Sequence, residues 1–226
     1  MHTSRRAFTL VELCAAICIL AILCALISGG VSNIRKAGEN AGCVSNLRAI
    51  GTAVSLYVSD HDGSLPGPAY GNMPATYSYA LNGPYTLTTY LAPYLDCPAQ
   101  ENATPHTCPT MICPAFKYRN VLPASQWTKA RSYTPVYQLS GVTLPGGMLP
   151  NPWGRPATAG LNMNDAPFKL AAICSQVKAS ATWMIMDADV TSNIGGEGLS
   201  PKPVHGTHWN RLFFDFHVEA TATQKP

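Results

Sequence analysis

Apolar positions in the first 60 residues predict one long helix. Residues 13–33 form an uncharged, mostly apolar run of 21 residues, about the length of a helix that crosses a bilayer at a rise of ~1.5 Å per residue. From residue 34 to residue 58, apolar side chains recur every three or four positions, which is the period of one helix face. An Asp-His-Asp-Gly sequence at 60–63 and the prolines after it end the pattern. We therefore expect a helix over residues 8–59.

The middle of the chain follows neither the helical nor the strand period. Residues 64–168 hold 16 of the 19 prolines, and we expect an ordered, loop-rich insertion there, because loops of this length are usually functional or interfacial. Within it, the pattern indicates a short strand over 132–139 and short helices near 87–94 and 125–129. Residues 168–177 fit a short helix or a short strand.

Strand patterns close the chain. Residues 181–187 are typical of a buried strand, and residues 211–214 and 217–221 of the two strands of a terminal β-hairpin. These elements predict an α+β fold, in which the outer half of the long helix packs on an antiparallel β-sheet.

Composition and motifs exclude several classes of function. The net charge is +3, only 12% of residues are charged, and no basic patch indicates nucleic-acid binding. No phosphate-binding loop, dinucleotide fingerprint, Gly-x-Ser-x-Gly or His-Glu-x-x-His motif occurs. Nothing in the sequence therefore indicates an enzyme.

The N-terminal residues combine two arginines, an apolar run and one carboxylate. Arg5 and Arg6 precede the run, and Glu12 stands at its start. A charge beside lipid is costly and therefore indicates a function. A twin-arginine or Sec signal peptide would also place basic residues before apolar ones. Neither explains Glu12, and the Ser-Gly-Gly sequence at 28–30 is a poor cleavage site for either.

The sequence Ala-Phe-Thr-Leu-Val-Glu at residues 7–12 resembles the type IV prepilin signature, in which glycine stands where this chain has Ala7. The resemblance implies that a prepilin peptidase cuts between Ala7 and Phe8 and that the new amine of Phe8 is methylated. Glu12 of one subunit would then pair with the Phe8 amine of a neighbour, each charge relieving the burial cost of the other. That pairing would set the register between subunits.

This resemblance implies a pilin-like fold, with residues 1–7 as the basic leader, 8–33 as the membrane-spanning half of the helix and 34–226 as the head. The chain would be a single-pass protein of the inner membrane with a periplasmic or extracellular head. It would serve as a structural subunit of a type II secretion pseudopilus or a type IV pilus-like filament. The implied partners are the prepilin peptidase, an inner-membrane assembly platform and other pilin-like subunits in a homo- or hetero-polymer.

Two further stretches resemble a group of bacterial pseudopilin-like proteins. Residues 43–51 match a Cys-x-x-Asn-Leu-Lys-x-Ile-Gly pattern, with Arg48 in place of the lysine, and residues 60–66 match Asp-x-Asp-Gly-x-x-Pro. In this group the pattern lies on the helix and the second motif ends it.

The closing motif of the same group is a histidine, nine residues and then Asp-Gly, which His205 and Asp215 match. Phe216 stands in place of the glycine. Because phenylalanine tolerates positive φ poorly, we expect the hairpin to use another type of turn. We expect His205 and Asp215 to hydrogen-bond and lock the hairpin. The alternative is that the histidines and the carboxylate of this region bind a metal ion, with the ligands His205, His208, Asp215 and His217.

Oxygen ligands are concentrated beside a Gly-Gly turn between residues 187 and 197. The major pseudopilins of type II secretion, which the N-terminus resembles, carry a calcium site near their C-terminus. That resemblance raises a possible calcium site at Asp187, Asp189 and Glu197, because calcium takes such ligands from loops. Solvated loop carboxylates are the competing interpretation.

Five cysteines lie outside the apolar run, so that one thiol stays unpaired if the others form disulfides. Zinc binding by Cys97, Cys108, Cys113 and Cys174 is disfavoured, because their spacings are not those of a zinc ribbon or finger. Thiols of an exported protein more often form disulfides. We predict a disulfide between Cys108 and Cys113.

A second function from a different class is a membrane-anchored extracytoplasmic binding protein that uses a prepilin-type export signal. The middle of the chain would then recognise a polysaccharide or another exported substrate. Aromatic residues that could stack on sugars occur throughout this region, namely Tyr70, Tyr77, Tyr79, Tyr85, Tyr90, Tyr94, Trp127 and Trp153. Scattered aromatic residues also pack loop-rich cores, which is the competing interpretation.

Overall fold

The chain is a mixed α and β protein that begins with a long helix. The computed structural model describes residues 9–78, 85–99, 103–119, 130–139, 142, 151–157, 165–192 and 198–223, without the side chains of 25–30 and 117–119. Within these ranges, helix α1 spans Leu10–Asp60, and short helices and two antiparallel sheets follow it. The chain divides into an N-terminal unit, Met1–Gly38, and a C-terminal unit, Glu39–Pro226.

Helix α1 lies close to the predicted 8–59 and ends as the sequence indicates. Asp62 and Gly63 have positive φ angles of 51° and 80°, and the Gly63 N–H donates to the Val58 carbonyl oxygen at 2.9 Å. A left-handed residue after the last turn is the usual way to terminate a helix. The Asp-His-Asp-Gly sequence therefore acts as the predicted stop signal.

The predicted membrane span is wrong. In the part of the chain that the structure describes, no helix is both long enough and apolar enough to cross a membrane. This finding contradicts a single-pass inner-membrane protein with a periplasmic or extracellular head.

The C-terminal unit is built on one face of α1. Cys43, Leu47, Ile50 and Val54 are fully buried, and Tyr57 is 8% exposed. Their spacing of three or four residues places them on one stripe of the helix. They belong to the same core cluster as side chains from the larger sheet, namely Tyr133, Met184, Ile185 and Leu212.

The larger sheet has four antiparallel strands in the order β3-β4-β5-β6. They are β3 (Tyr133–Pro135), β4 (Trp183–Asp187), β5 (His208–Phe213) and β6 (Val218–Ala222). Strand β4 confirms the predicted buried strand, and β5 with β6 confirms the terminal hairpin. The smaller sheet pairs β1 (Thr76–Tyr77) with β2 (His106–Thr107).

In the described stretches between the strands, the short helices are α2 (Leu87–Leu91), α3 (Pro114–Arg119) and α4 (Leu170–Cys174). Helix α2 continues into a 3₁₀ turn over Ala92–Leu95 and agrees with the short helix predicted near 87–94. Helix α4 shows that the segment 168–177, predicted as a short helix or a short strand, holds a short helix over Leu170–Cys174. The helix predicted near 125–129 lies outside the described residues.

The loop-rich middle of the chain joins the core through Trp153. The indole of Trp153 is fully buried and donates from Nε1 to the Val136 carbonyl oxygen at 2.8 Å. The Trp153 carbonyl oxygen accepts the Ala69 N–H at 3.1 Å. Gly67 passes so close to this carbonyl that a Cβ built on Gly67 would lie 2.0 Å from the oxygen. The described part of the insertion is therefore organised around a specific contact.

Candidate functional site

Glu12 caps the N-terminus of α1. Thr9 donates to Glu12 Oε2 from its backbone N–H at 2.9 Å and from its hydroxyl at 2.8 Å. The Glu12 N–H donates in return to the Thr9 hydroxyl at 3.3 Å. This is a capping box, which satisfies backbone N–H groups that the first turn leaves unpaired. The Thr-x-x-Glu spacing of Thr9 and Glu12 is the sequence signal that indicates this capping box.

The capping box gives Glu12 a local role that does not depend on a neighbouring subunit. Both bonds from Thr9 go to Oε2 of the exposed carboxylate. A subunit register based on Glu12 therefore stays a prediction. The predicted leader residues Arg5 and Arg6 and the Ala7–Phe8 cleavage junction lie outside the described residues.

The N-terminal unit exposes many large apolar side chains among its described residues. Between 49% and 79% of the surface of each is accessible: Leu10, Val11, Leu13, Ile17, Ile19, Leu20, Ile22, Leu23, Val31 and Ile34. An apolar surface of this extent marks an interaction site, because leaving it in water is unfavourable.

The turn of the β5–β6 hairpin contains a left-handed residue, Phe216. The prediction that phenylalanine at this position requires another type of turn is therefore wrong. Phe216 has a φ of 67°, and its N–H donates to the Phe213 carbonyl oxygen at 2.9 Å. A left-handed conformation costs a non-glycine residue about 1–2 kcal/mol. Packing offsets this cost, because Phe216 lies against the core near Gly51, where α1 has no side chain.

The predicted hydrogen bond between His205 and Asp215 does not form. Asp215 Oδ1 bonds instead with the ring Nδ1 of His217, two residues further along the turn. His205 lies in the core, with Nε2 at 3.5 Å from Asp187 Oδ2, and its ring stacks on that of His208. The motif thus contributes one residue to the turn and another to a buried cluster. The metal site proposed for the hairpin is not assembled.

Asp187 and Asp189 have different environments, although both belong to the predicted calcium site. Asp189 uses Oδ1 to accept the Thr191 N–H at 2.7 Å and Oδ2 to accept the Trp209 indole N–H at 2.5 Å. These donors occupy the oxygens that calcium would need. Glu197 lies outside the described residues. The calcium site stays a prediction that the described part of this loop does not support.

The structure corrects the predicted cysteine pairing. Cys113 forms a disulfide with Cys43 of α1, across 70 residues of sequence, and not with Cys108. A 3₁₀ turn over Pro109–Met111 separates Cys108 from Cys113. Cys108 lies instead beside Cys97, with 2.8 Å between the two Sγ atoms.

We expect mild oxidation to join Cys97 and Cys108 in a second disulfide. Burial raises the pKa of the Cys108 thiol to about 12. The half-buried Cys97 should therefore react first with oxidised glutathione. The Cys108 thiol should then displace glutathione from Cys97 and form the disulfide. Peptide mapping before and after treatment with oxidised glutathione would detect the pair. Cys174, also free and half-buried, is the matched control and should stay alkylatable. A stable Cys97–glutathione adduct without transfer to Cys108 would contradict the prediction.

A buried cluster of four potential metal ligands lies where α1 meets the sheet. The ligand atoms of Cys43, Cys113, Asp187 and His205 all lie within 4.8 Å of one another. Cys113 Sγ is 3.4 Å from His205 Nε2. The side chains of His205 and Asp187 are each only 2% exposed.

Four separate segments supply this cluster, which explains why the sequence did not reveal it. Cys43 is on α1, Cys113 directly precedes α3, Asp187 ends β4, and His205 lies in the loop before β5. Their association depends on the packing of α1 against the sheet. A partial signal was present, because Cys43 and His205 both stand in stretches that resemble motifs of the pseudopilin-like group.

Asp187 carries the least satisfied group of the cluster. Its Oδ2 accepts the backbone N–H of Asn210 at 2.7 Å, and its Oδ1 is buried without a hydrogen-bond partner. Burial raises the pKa of Asp187 to about 7, against hydrogen bonds from Asn210 that lower it. An unpartnered oxygen in such a place is costly unless another group approaches it.

Comparisons with known proteins find no match for this chain. Neither a protein-family model, nor a curated protein, nor a solved structure matches it. The resemblance to type IV prepilins therefore stays a prediction.

Proposed function

We propose that this chain is a structural subunit of a filament of the type IV pilus or type II secretion pseudopilus kind, with a pilin-like α+β fold. The observation that carries the proposal is the exposed apolar surface of α1 in the N-terminal unit. Each large apolar side chain contributes roughly 1.5–3 kcal/mol when it is fully buried. Helices of this kind are stabilised when copies of the chain pack them side by side.

Several features support this proposal independently of the exposed surface. The helix is continuous from Leu10 to Asp60, and its second half packs on an antiparallel sheet. The prepilin-like residues stand immediately before the helix, so that processing at Ala7–Phe8 would leave a free amine two residues before Leu10. A prepilin peptidase and other copies of this chain, or related pilin-like subunits, would be the partners.

The second function, an extracytoplasmic binding protein, lacks a supporting observation in the described residues. Tyr77 and Trp153 are fully buried. Tyr90 and Tyr94 donate hydrogen bonds to Pro68 and Asp60, and the rings of Tyr70 and Tyr85 pack edge to face. These rings serve the fold and do not form a stacking surface.

We expect the variant Leu13→Ser/Ile17→Ser/Leu20→Ser to lose filament formation, because these exposed residues share one face of α1. Sedimentation and electron microscopy of the purified full chain would measure assembly. A triple substitution of exposed serines further along the same helix is the matched control: Ser45→Ala/Ser55→Ala/Ser59→Ala. It should assemble like the wild type. Equal assembly of both triple variants would contradict the role of the apolar face.

Two substitutions of Glu12 in the same assay separate its capping role from a role between subunits. Glu12→Gln keeps a side chain that can complete the capping box but removes the charge, whereas Glu12→Leu removes both. If Glu12 pairs with a neighbouring Phe8 amine, both variants should assemble poorly. Normal assembly of Glu12→Gln together with poor assembly of Glu12→Leu would assign Glu12 to capping alone.

A further inference from the structure

We propose that Cys43, Cys113, Asp187 and His205 form a zinc site when the Cys43–Cys113 disulfide is reduced. The four side chains already lie together, with their ligand atoms within 4.8 Å of one another. The site goes beyond the proposed filament function and does not depend on it.

The donor atoms match the chemistry of zinc. Two thiolates, one imidazole and one carboxylate provide four ligands of the types that zinc prefers. Bonds of about 2.0–2.3 Å in a tetrahedron place ligand atoms roughly 3.3–3.8 Å apart. His205 Nε2 already lies 3.4 Å from Cys113 Sγ and 3.5 Å from Asp187 Oδ2. Only small movements of the cysteine side chains are needed to complete this geometry.

A second observation points to a cation in the same place. Asp187 Oδ1 is buried and has no hydrogen-bond partner, while Oδ2 accepts from Asn210 and faces His205. Metal coordination satisfies a buried carboxylate oxygen that the protein itself leaves without a donor. A thiolate-rich set also favours zinc over calcium, which binds oxygen ligands. This site is therefore different from the calcium site predicted between residues 187 and 197.

The disulfide and the metal site are alternative states of the same two cysteines. A phosphine or dithiol reductant supplies two electrons to the S–S bond, which breaks and takes up two protons to give two thiols. The reductant is converted to its oxide, with oxygen from water, or to its own disulfide. Zinc then binds the two thiolates, and the two thiol protons pass to solvent. The helix would thus stay attached to the segment before α3 in either state, through a covalent bond or through a metal.

Cobalt(II) binding to the full chain tests the proposal, because thiolate-bound tetrahedral cobalt has characteristic charge-transfer and visible bands. The test uses a variant in which serine replaces the other six cysteines, so that only Cys43 and Cys113 can supply thiolates. After reduction with a phosphine, we expect one cobalt per chain, displaced by one zinc. The oxidised protein, prepared identically, should bind neither. Absence of cobalt bands in the reduced protein would overturn the proposal.

Ligand variants distinguish the four-ligand site from a simple dithiol. In the same serine background, His205→Gln and Asp187→Asn should each weaken cobalt binding at least tenfold, because each removes a donor of the set. Unchanged affinity in both variants would show binding by the cysteines alone and would overturn the site as proposed.

A stability measurement guards against variants that do not fold. Zinc bound only to the folded state raises its melting temperature by mass action. We expect zinc to raise the melting temperature of the reduced parent protein and to leave that of the oxidised protein unchanged. Equal melting temperatures of the reduced protein with zinc and with a chelator would count against the site, whatever the variants do.

Discussion

Replacing Gly67 by alanine should lower the free energy of unfolding of the C-terminal unit by about 3 kcal/mol or more. The new Cβ would lie 2.0 Å from the Trp153 carbonyl oxygen and 3.2 Å from the Pro167 Cβ. The first contact is with backbone, which cannot rotate away. Moving it would disturb the buried Trp153 and the hydrogen bond that its carbonyl accepts from Ala69.

Urea unfolding followed by circular dichroism would measure this effect. Gly38→Ala is the matched control, because a Cβ at Gly38 meets nothing within 4 Å and alanine favours a helix interior by up to about 1 kcal/mol over glycine. The control should therefore unfold at the same urea concentration as the wild type or higher. Identical midpoints for Gly67→Ala and the wild type would contradict the close approach of these two segments.

Removal of the Cys43–Cys113 disulfide should destabilise the oxidised, metal-free protein by roughly 4 kcal/mol. The bond joins residues 70 positions apart, and the chain-entropy model assigns about this amount to a loop of that length. We expect the effect in the double variant Cys43→Ala/Cys113→Ala, because the open chain gains freedom chiefly in the unfolded state.

Denaturant unfolding in the presence of a chelator would measure the loss and keep metal binding out of the comparison. Cys174→Ala is the control: Cys174 is half-buried and forms no disulfide in the structure, so its replacement should cost much less. A double variant as stable as this control would show that the bond does not restrain the unfolded chain.

Local patterns predicted the elements of this fold well. The apolar period and the Asp-His-Asp-Gly stop signal predicted α1 almost to its ends, and the strand patterns predicted β4 and the terminal hairpin. Each of these signals depends on residues close together in sequence. Phe216 shows the limit of such reasoning, because its contacts with the core near Gly51 override its own conformational preference.

The candidate site could not be predicted in the same way. Cys43, Cys113, Asp187 and His205 come from four segments, and cysteine connectivity cannot be deduced from spacing alone. The predicted Cys108–Cys113 pair does not form, because the 3₁₀ turn over Pro109–Met111 separates the two side chains.

The position of the Cys43–Cys113 disulfide has a mechanical consequence. A pull on the N-terminal end of α1 reaches Asn40, whose side chain hydrogen-bonds with His208 and Asn210. One helical turn further on, Cys43 transfers the load to a covalent bond. Part of the tension is thereby diverted into the segment before α3, which reduces the load on the apolar contacts from Leu47 to Tyr57.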